Sequence, residues 1–217
     1  TSDIKLVNKV LKSNLITQGP NVGKFEKAIA KRVKSKYAVA SNSATSSLHL
    51  ACMAIGLKKG DWLWTSPNSF VASSNCGLLC GAKIDFIDIN PRTYNLDVDR
   101  LEKKLVQAKK SKKLPKVVVP VHFAGLPCEM KKIFELSKKY KFKIIEDASH
   151  ALGAKYNSED IGNCKYSDIA VFSFHPIKMI TTIEGGVATT NNQKYADQMS
   201  KLRTHGIVKE KFKMKRK

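Results

Sequence analysis

Short apolar runs alternate along this chain with longer segments whose apolar positions recur at helical spacing. The first pattern marks a buried strand, the second an amphipathic helix. On this reading helices cover Phe25–Val33, Ala44–Ile55, Phe70–Leu79, Val98–Ala108, Met130–Tyr140 and Tyr195–Leu202, with Gly56 and Gly81 closing the second and third. Strands cover Tyr37–Ala40, Trp62–Thr65, Lys83–Ile89, Val117–Val121, Lys143–Asp147, Ile169–Phe174 and Val187–Thr190, and Asn90-Pro91-Arg92 is a turn. The alternation predicts an α/β fold, a three-layer α/β/α domain around a mostly parallel central sheet. Such sheets place their sites in loops at the carboxyl ends of the strands. Residues 1–20 read as an N-terminal helix and loop, and residues 21–206 as one large domain. The chain opens without methionine, in a helical pattern, and Lys209–Lys217 brings no apolar closure. Residues 207–217 are therefore expected to begin a segment that continues elsewhere.

Composition narrows the class. At 217 residues and 42% hydrophobic content the chain can bury a full core. No apolar run approaches the ~20 residues of a membrane span, and no signal-peptide pattern opens the chain. Cys52, Cys76, Cys80, Cys128 and Cys164 are odd in number, lack CxxC spacing and sit mostly in apolar segments. They read as reduced core thiols of a cytoplasmic protein rather than metal ligands. The formal charge of +21 would suit a nucleic-acid binder. Its lysines are scattered over helices, as in Lys103-Lys104 and Lys138-Lys139, without interleaved aromatics, so a solvated lysine-rich surface is the better account. The same field would attract a diphosphate-bearing substrate.

Candidate chemistry gathers at strand ends. Lys178 follows the β-branched and aromatic run Val171–Phe174 and precedes the pair Gly185-Gly186. A lysine at the mouth of a sheet can form a Schiff base with a carbonyl compound, although alone it is equally one more lysine among many. Ser41–Ser47 places small hydroxyl residues before a helix, either an ordinary N-cap or a phosphate cradle. The apolar strand Lys143–Asp147 delivers Asp147 to the sheet edge, where a carboxylate needs donors or a cation. A protonated pyridine nitrogen would serve, and so would a structural Asp–His turn with His150. Phe70 reads either as a stacking face for a flat ring or as core. His122 reads as a buried, satisfied histidine, while His175 and His49 read as scaffold. Glu184 is a candidate to position Lys178.

In this order the segments resemble the DegT/DnrJ/EryC family of sugar aminotransferases, enzymes of pyridoxal phosphate fold type I. The resemblance rests on Leu15–Pro20, Asn42–Ser46, Glu146–Ala151, Ser173–Lys178 and Leu202–Gly206. It implies that Lys178 forms the Schiff base with the cofactor and that Asp147 pairs with the ring nitrogen. It further implies that His150 meets the phenolic oxygen, that Phe70 stacks on the ring, and that Thr45, Ser46 and Ser173 hold the phosphate. Thr17, Gln18 and Gly19 would lie near a nucleotide-sugar, and glutamate would donate the amino group. The wording Ser69–Ala72 with Ser173–Pro176 is most similar to the members of pseudaminic acid biosynthesis, which aminate a UDP-linked 4-keto-6-deoxy sugar. Family members are longer, carry a small C-terminal domain and act as homodimers with shared sites; the resemblance implies the same here, with that domain absent from this chain. No metal, nucleic acid or membrane enters this reading. Two departures stand out: Asn157-Ser158 replaces a hairpin glycine, and Met179 follows the lysine where proline is common. Alternatives are a dTDP- or GDP-sugar substrate, a sugar dehydratase, against which Lys178 argues because those enzymes carry histidine there, and a non-catalytic regulator, which would lose Lys178 or Asp147.

Overall fold

In a computed structural model, residues 1–207 are described; the remainder of the expected 207–217 segment lies outside the described residues. The chain runs α1 (Ser2–Leu11), α2 (Pro20–Val33), β1 (Tyr37–Ser41), α3 (Ala44–Ile55), β2 (Trp62–Thr65), α4 (Ala72–Leu79) and β3 (Lys83–Phe86). It continues through α5 (Val98–Lys110), β4 (Val117–Val119), a 3-10 turn at Phe123–Gly125, α6 (Met130–Tyr140) and β5 (Lys143–Asp147). The hairpin β6 (Lys155–Tyr156) and β7 (Glu159–Asp160) follows, then β8 (Ile169–Ser173), β9 (Gly186–Thr190) and α7 (Gln193–Arg203).

Seven strands form one sheet in the order β1-β9-β8-β5-β4-β2-β3. β9 pairs antiparallel with both neighbours and every other pairing is parallel, which is the mostly parallel sheet expected. Alternation along the strands sends side chains to two faces. Val117, Val119, Ile169 and Val171 meet α3, α4 and α7 on one side. Val118 and Ile144 meet α5 and α6 on the other, where Phe172 and Val187 also meet α2. The three-layer α/β/α arrangement follows from that alternation.

Several boundaries move from the sequence reading, each for a local reason. α2 starts at Pro20 rather than Phe25, because proline's fixed φ suits the first helical position. α4 starts at Ala72, not Phe70; Phe70 lies before the helix and 74% exposed, so it is not a core residue. β4 stops at Val119, since Pro120 has no N–H for the ladder; Val121 returns only for a single bridge to Asp147. β3 ends at Phe86 because its partner β2 is itself only four residues long. β8 ends at Ser173; Phe174 N–H still donates to Gly185 O at 2.9 Å, and the chain becomes exposed only from His175. At the tip of the β6–β7 hairpin both Asn157 and Ser158 take positive φ, 50° and 64°, so asparagine and serine supply the turn that the glycine would have made.

One close approach ties the sheet to a helix start. A Cβ placed on Gly186 would sit inside the backbone of Ser43 and Ala44 at the N-terminus of α3. Backbone cannot swing aside as a flexible side chain can. Gly186→Ala is therefore expected to destabilise the protein by about 2–3 kcal/mol, a fall in Tm of roughly 4–12 °C at this size, read by thermal unfolding. A melt within about 1 °C of wild type would mean that the α3 N-terminus yields freely.

Candidate active site

The carboxyl ends of β5 and β8, the N-termini of α3 and α4, and the loop between β8 and β9 enclose a cavity of about 380 Å³. Lys178 reaches it from the β8–β9 loop, whose ends are pinned by the Ser173–Gly186 pair of the ladder. The Lys178 Nζ lies 2.6 Å from His150 Nε2. Burial lowers the pKa of Lys178 from its ordinary 10.5, while the charge of Asp147 partly restores it. Burial also lowers that of His150, reinforced by the Lys178 charge and opposed by Asp147. A neutral imidazole can accept the lysine N–H through Nε2.

Asp147 is 4% exposed on the cavity wall. Ser73 Oγ donates to its Oδ2 at 2.5 Å, and Ser149 donates to Oδ1 from Oγ at 2.6 Å and from N at 3.2 Å. Ser69 Oγ lies 2.7 Å behind Ser73 Oγ. Hydroxyls thus hold both oxygens in one orientation, yet no Asp147 ion pair occurs among the described residues. A buried carboxylate braced by neutral donors and facing a cavity suits a cationic N–H partner.

The backbone beneath Asp147 is equally fixed. Its N–H donates to Pro120 O at 2.9 Å, and its carbonyl accepts from His122 N at 3.1 Å. The His122 ring is fully buried: Nδ1 accepts the Cys128 amide at 3.1 Å and Nε2 faces Glu146 Oε2 at 2.8 Å. The amide fixes Nδ1 as acceptor and leaves the N–H on Nε2, as expected of a satisfied histidine. Ser167 Oγ donates to the other Glu146 oxygen.

At α3, Ser43 caps the helix by accepting Ser46 N–H at 3.1 Å, and its carbonyl accepts Ser47 N–H at 3.0 Å. That leaves the first-turn N–H groups of Ala44 and Thr45 at the cavity edge, with Ser173 across from them. The positive end of a helix and two hydroxyls suit a phosphate. Phe70 and Ser173 also line the cavity. A phosphate-bearing aromatic aldehyde with a basic ring nitrogen fits this donor set.

The cavity therefore gathers Lys178, Asp147, His150, Phe70, Thr45 and Ser173. Ser46 does not line it; its N–H and Oγ are engaged by Ser43 inside the cap. Thr17, Gln18 and Gly19 lie outside it, between α1 and α2, where Gln18 and Gly19 line a separate groove. His175, read as scaffold, is instead exposed at the cavity rim, because β8 ends two residues earlier. Glu184 lines the cavity, but the hydrogen bond at Lys178 Nζ goes to His150. Sequence reasoning missed Ser73 and Ser149. The Ser69/Ser73 spacing, two hydroxyls one helical turn apart beside a strand end, was the available signal. Cys52, Cys76, Cys128 and Cys164 are buried and Cys80 half-buried, all as free thiols. Among the described residues no helix is long and apolar enough to cross a membrane.

With this geometry in place, comparison with known proteins decides the family. The description of the DegT/DnrJ/EryC1/StrS aminotransferase family matches residues 1–217. The chain belongs to this family. It is 45% identical over 211 residues to a UDP-4-amino-4,6-dideoxy-N-acetyl-beta-L-altrosamine transaminase of Campylobacter jejuni, covering 97% of this chain and 54% of that one. Among solved structures it superposes on Helicobacter pylori PseC, an aminotransferase involved in the biosynthesis of pseudoaminic acid, with a TM-score of 0.89 at 35% identity. That match covers 99% of this chain and 56% of the other. The PLP form of Streptococcus pneumoniae Spr1654 gives 0.84 at 28% identity, over 96% and 56% of the two chains. Pyridoxal phosphate is the cofactor of the family. The chain spans about half the length of the curated relatives it matches.

Proposed function

We propose that this chain forms the cofactor-binding part of an aminotransferase that moves an amino group from glutamate to the C4 keto group of a UDP-linked 6-deoxy sugar, acting as a homodimer. The observation that carries the reading is the convergence of Lys178, Asp147 and the α3 N-terminus on one cavity. The sugar is argued from the Campylobacter jejuni relative, whose name specifies a UDP-linked amino sugar. Exposed Ile177, Ile180 and Ile183 beside Lys178, between 59% and 79% exposed, support coverage by a second copy.

Pyridoxal phosphate, when bound, supplies an aldehyde for amine chemistry and a protonated ring that withdraws electrons. In this proposal Asp147 holds a proton on the ring nitrogen from its fixed carboxylate. The Ala44 and Thr45 N–H groups, with the Thr45 and Ser173 hydroxyls, hold the phosphate. Phe70 lies at the cavity mouth as a face for the ring and as a barrier to water. His150 would orient the Lys178 Nζ, whose neutral amine would be the group available to bond the cofactor's aldehyde and to hold a proton beside it.

The lowered pKa of Lys178 gives a sign to the pH dependence. Only the neutral amine attacks, and burial enlarges its share at a given pH. Capture of pyridoxal phosphate by the apoprotein should therefore accelerate with pH and level off below the ordinary lysine value of 10.5. Stopped-flow absorbance across pH measures this, and a midpoint at or above 10.5 would contradict it.

A panel of UDP-, dTDP- and GDP-linked 4-keto sugars with glutamate, read by mass spectrometry, tests the substrate. UDP-sugar is expected to gain an amine in place of the ketone. Conversion of dTDP- or GDP-sugars alone would discard the UDP assignment, and conversion of none would discard the nucleotide-linked 4-keto sugar as substrate.

A further inference from the structure

Next to the cavity that holds Lys178 lies a second, open one of about 540 Å³, lined by Pro67, Asn68, Ile89, Tyr94 and Phe123. The two share Asn68 and Phe123 as walls, so they adjoin. Its floor is an aromatic pair: the Tyr94 and Phe123 rings lie 5.9 Å apart at 40°. Tyr94 is 52% exposed, and its backbone is held at a φ of 59°. A bulky residue adopts that conformation only when its surroundings impose it.

The imposing contacts are clear. Asn90 O accepts Tyr94 N–H at 2.8 Å, Asn90 N–H donates to Asn95 O at 2.9 Å, and Asn90 Oδ1 accepts Arg92 N–H at 2.9 Å. Asn95, 4% exposed, then joins this loop to the 3-10 turn: Phe123 N donates to its Oδ1 at 2.9 Å and its Nδ2 donates to Leu126 O at 2.9 Å. The 3-10 turn in turn rests on the active site, since a Cβ at Gly125 would come 2.7 Å from His150 O. Two loops from different parts of the sequence are thus locked together and against the His150 backbone. What they present is a pair of aromatic rings, with Tyr94 about half exposed to solvent.

A strained, solvent-facing tyrosine does nothing for the core. It suits a flat ring arriving from solvent, because stacking on an aromatic face needs exposure and a fixed orientation. We propose that Tyr94 and Phe123 seat the nucleobase of the nucleotide-linked substrate, while its sugar reaches Lys178. Asn68, at the junction of the two cavities, offers an amide donor and acceptor to the linker between base and sugar. The proposal rests on the nucleotide-sugar reading above and adds where the nucleotide lies.

The test is calorimetric titration of the cofactor-loaded protein, at its full encoded length, with UDP and separately with inorganic pyrophosphate. Tyr94→Gly relieves the backbone strain while deleting the ring, so its fold is expected to survive, and its melting temperature checks this. Tyr94→Gly and Phe123→Leu should each weaken UDP by about tenfold, and Tyr94→Trp should restore it to within about threefold of wild type. Pyrophosphate, which has no base, should bind wild type and Tyr94→Gly alike. Unchanged UDP affinity in both ring deletions overturns the proposal, as does an equal loss for pyrophosphate. An altered sedimentation coefficient of Tyr94→Gly with unchanged UDP affinity also overturns it and assigns the face to contact between copies. The parent reading is scored separately, by whether wild type develops a visible band with pyridoxal phosphate. No band removes both readings, whereas a band with UDP affinity indifferent to Tyr94 and Phe123 removes only this one.

Discussion

Replacing Lys178 by alanine is expected to abolish the visible band that the wild-type protein develops with pyridoxal phosphate. It should also remove the mass gain on the Lys178 peptide after borohydride reduction. Transamination should fall by a factor on the order of 10⁴ or more, because the proposed function makes the same amine both nucleophile and proton carrier. Stability should hardly change. Lys178 sits on a loop outside the hydrophobic clusters, with His150 as its side-chain partner, and such substitutions usually stay within about 0.5 kcal/mol. The pairing of lost chemistry with an intact melt is the diagnostic result. A persistent band, or mass gain on another lysine, would move the covalent site elsewhere in this lysine-rich chain.

Asp147→Asn is expected to separate binding from chemistry. The amide keeps the shape of the carboxylate, and the Ser73 and Ser149 hydroxyls can still bond to it. What disappears is the negative charge facing the cavity. Pyridoxal phosphate should still be captured, while kcat falls by a factor on the order of 10²–10³, the usual scale for removing one electrostatic contact to developing charge. Retention of kcat within about threefold would reduce Asp147 to a structural residue.

The central strands were legible in the sequence because they are buried on both faces. Val117–Val119 and Ile169–Phe172 leave uninterrupted apolar runs. Asp147 was legible for the complementary reason: a carboxylate that ends such a run must face something polar. The failures share a cause as well. Ser73 meets Asp147 across 74 residues of sequence, and His150 meets Lys178 across 28. No periodicity encodes contacts of that range. The place of His175 at the cavity rim was not legible, because the chain turns outward just after the buried Phe174. Tyr94 gave no signal, since a left-handed tyrosine is imposed by the Asn90 and Asn95 contacts around it rather than by its own preference. The face of α1 carrying Ile4, Val7 and Leu11 has apolar residues at helical spacing yet is exposed. Helical spacing identifies such a stripe without naming what covers it.

The Ser173–Gly186 pairing that closes the Lys178 loop has a consequence for how this scaffold can change. The two ends of the loop are anchored side by side in the antiparallel ladder of β8 and β9, and Phe174 is anchored in the core, so the exposed stretch beyond it can be rewritten without disturbing strand register. The lysine proposed to react is therefore carried on an exchangeable segment. Asp147 and the α3 N-terminus, by contrast, belong to the permanent frame, fixed by the sheet and by the Gly186 contact. Loop exchange between relatives should replace the proposed Schiff-base lysine while leaving the Asp147 carboxylate and the α3 N-terminus in place.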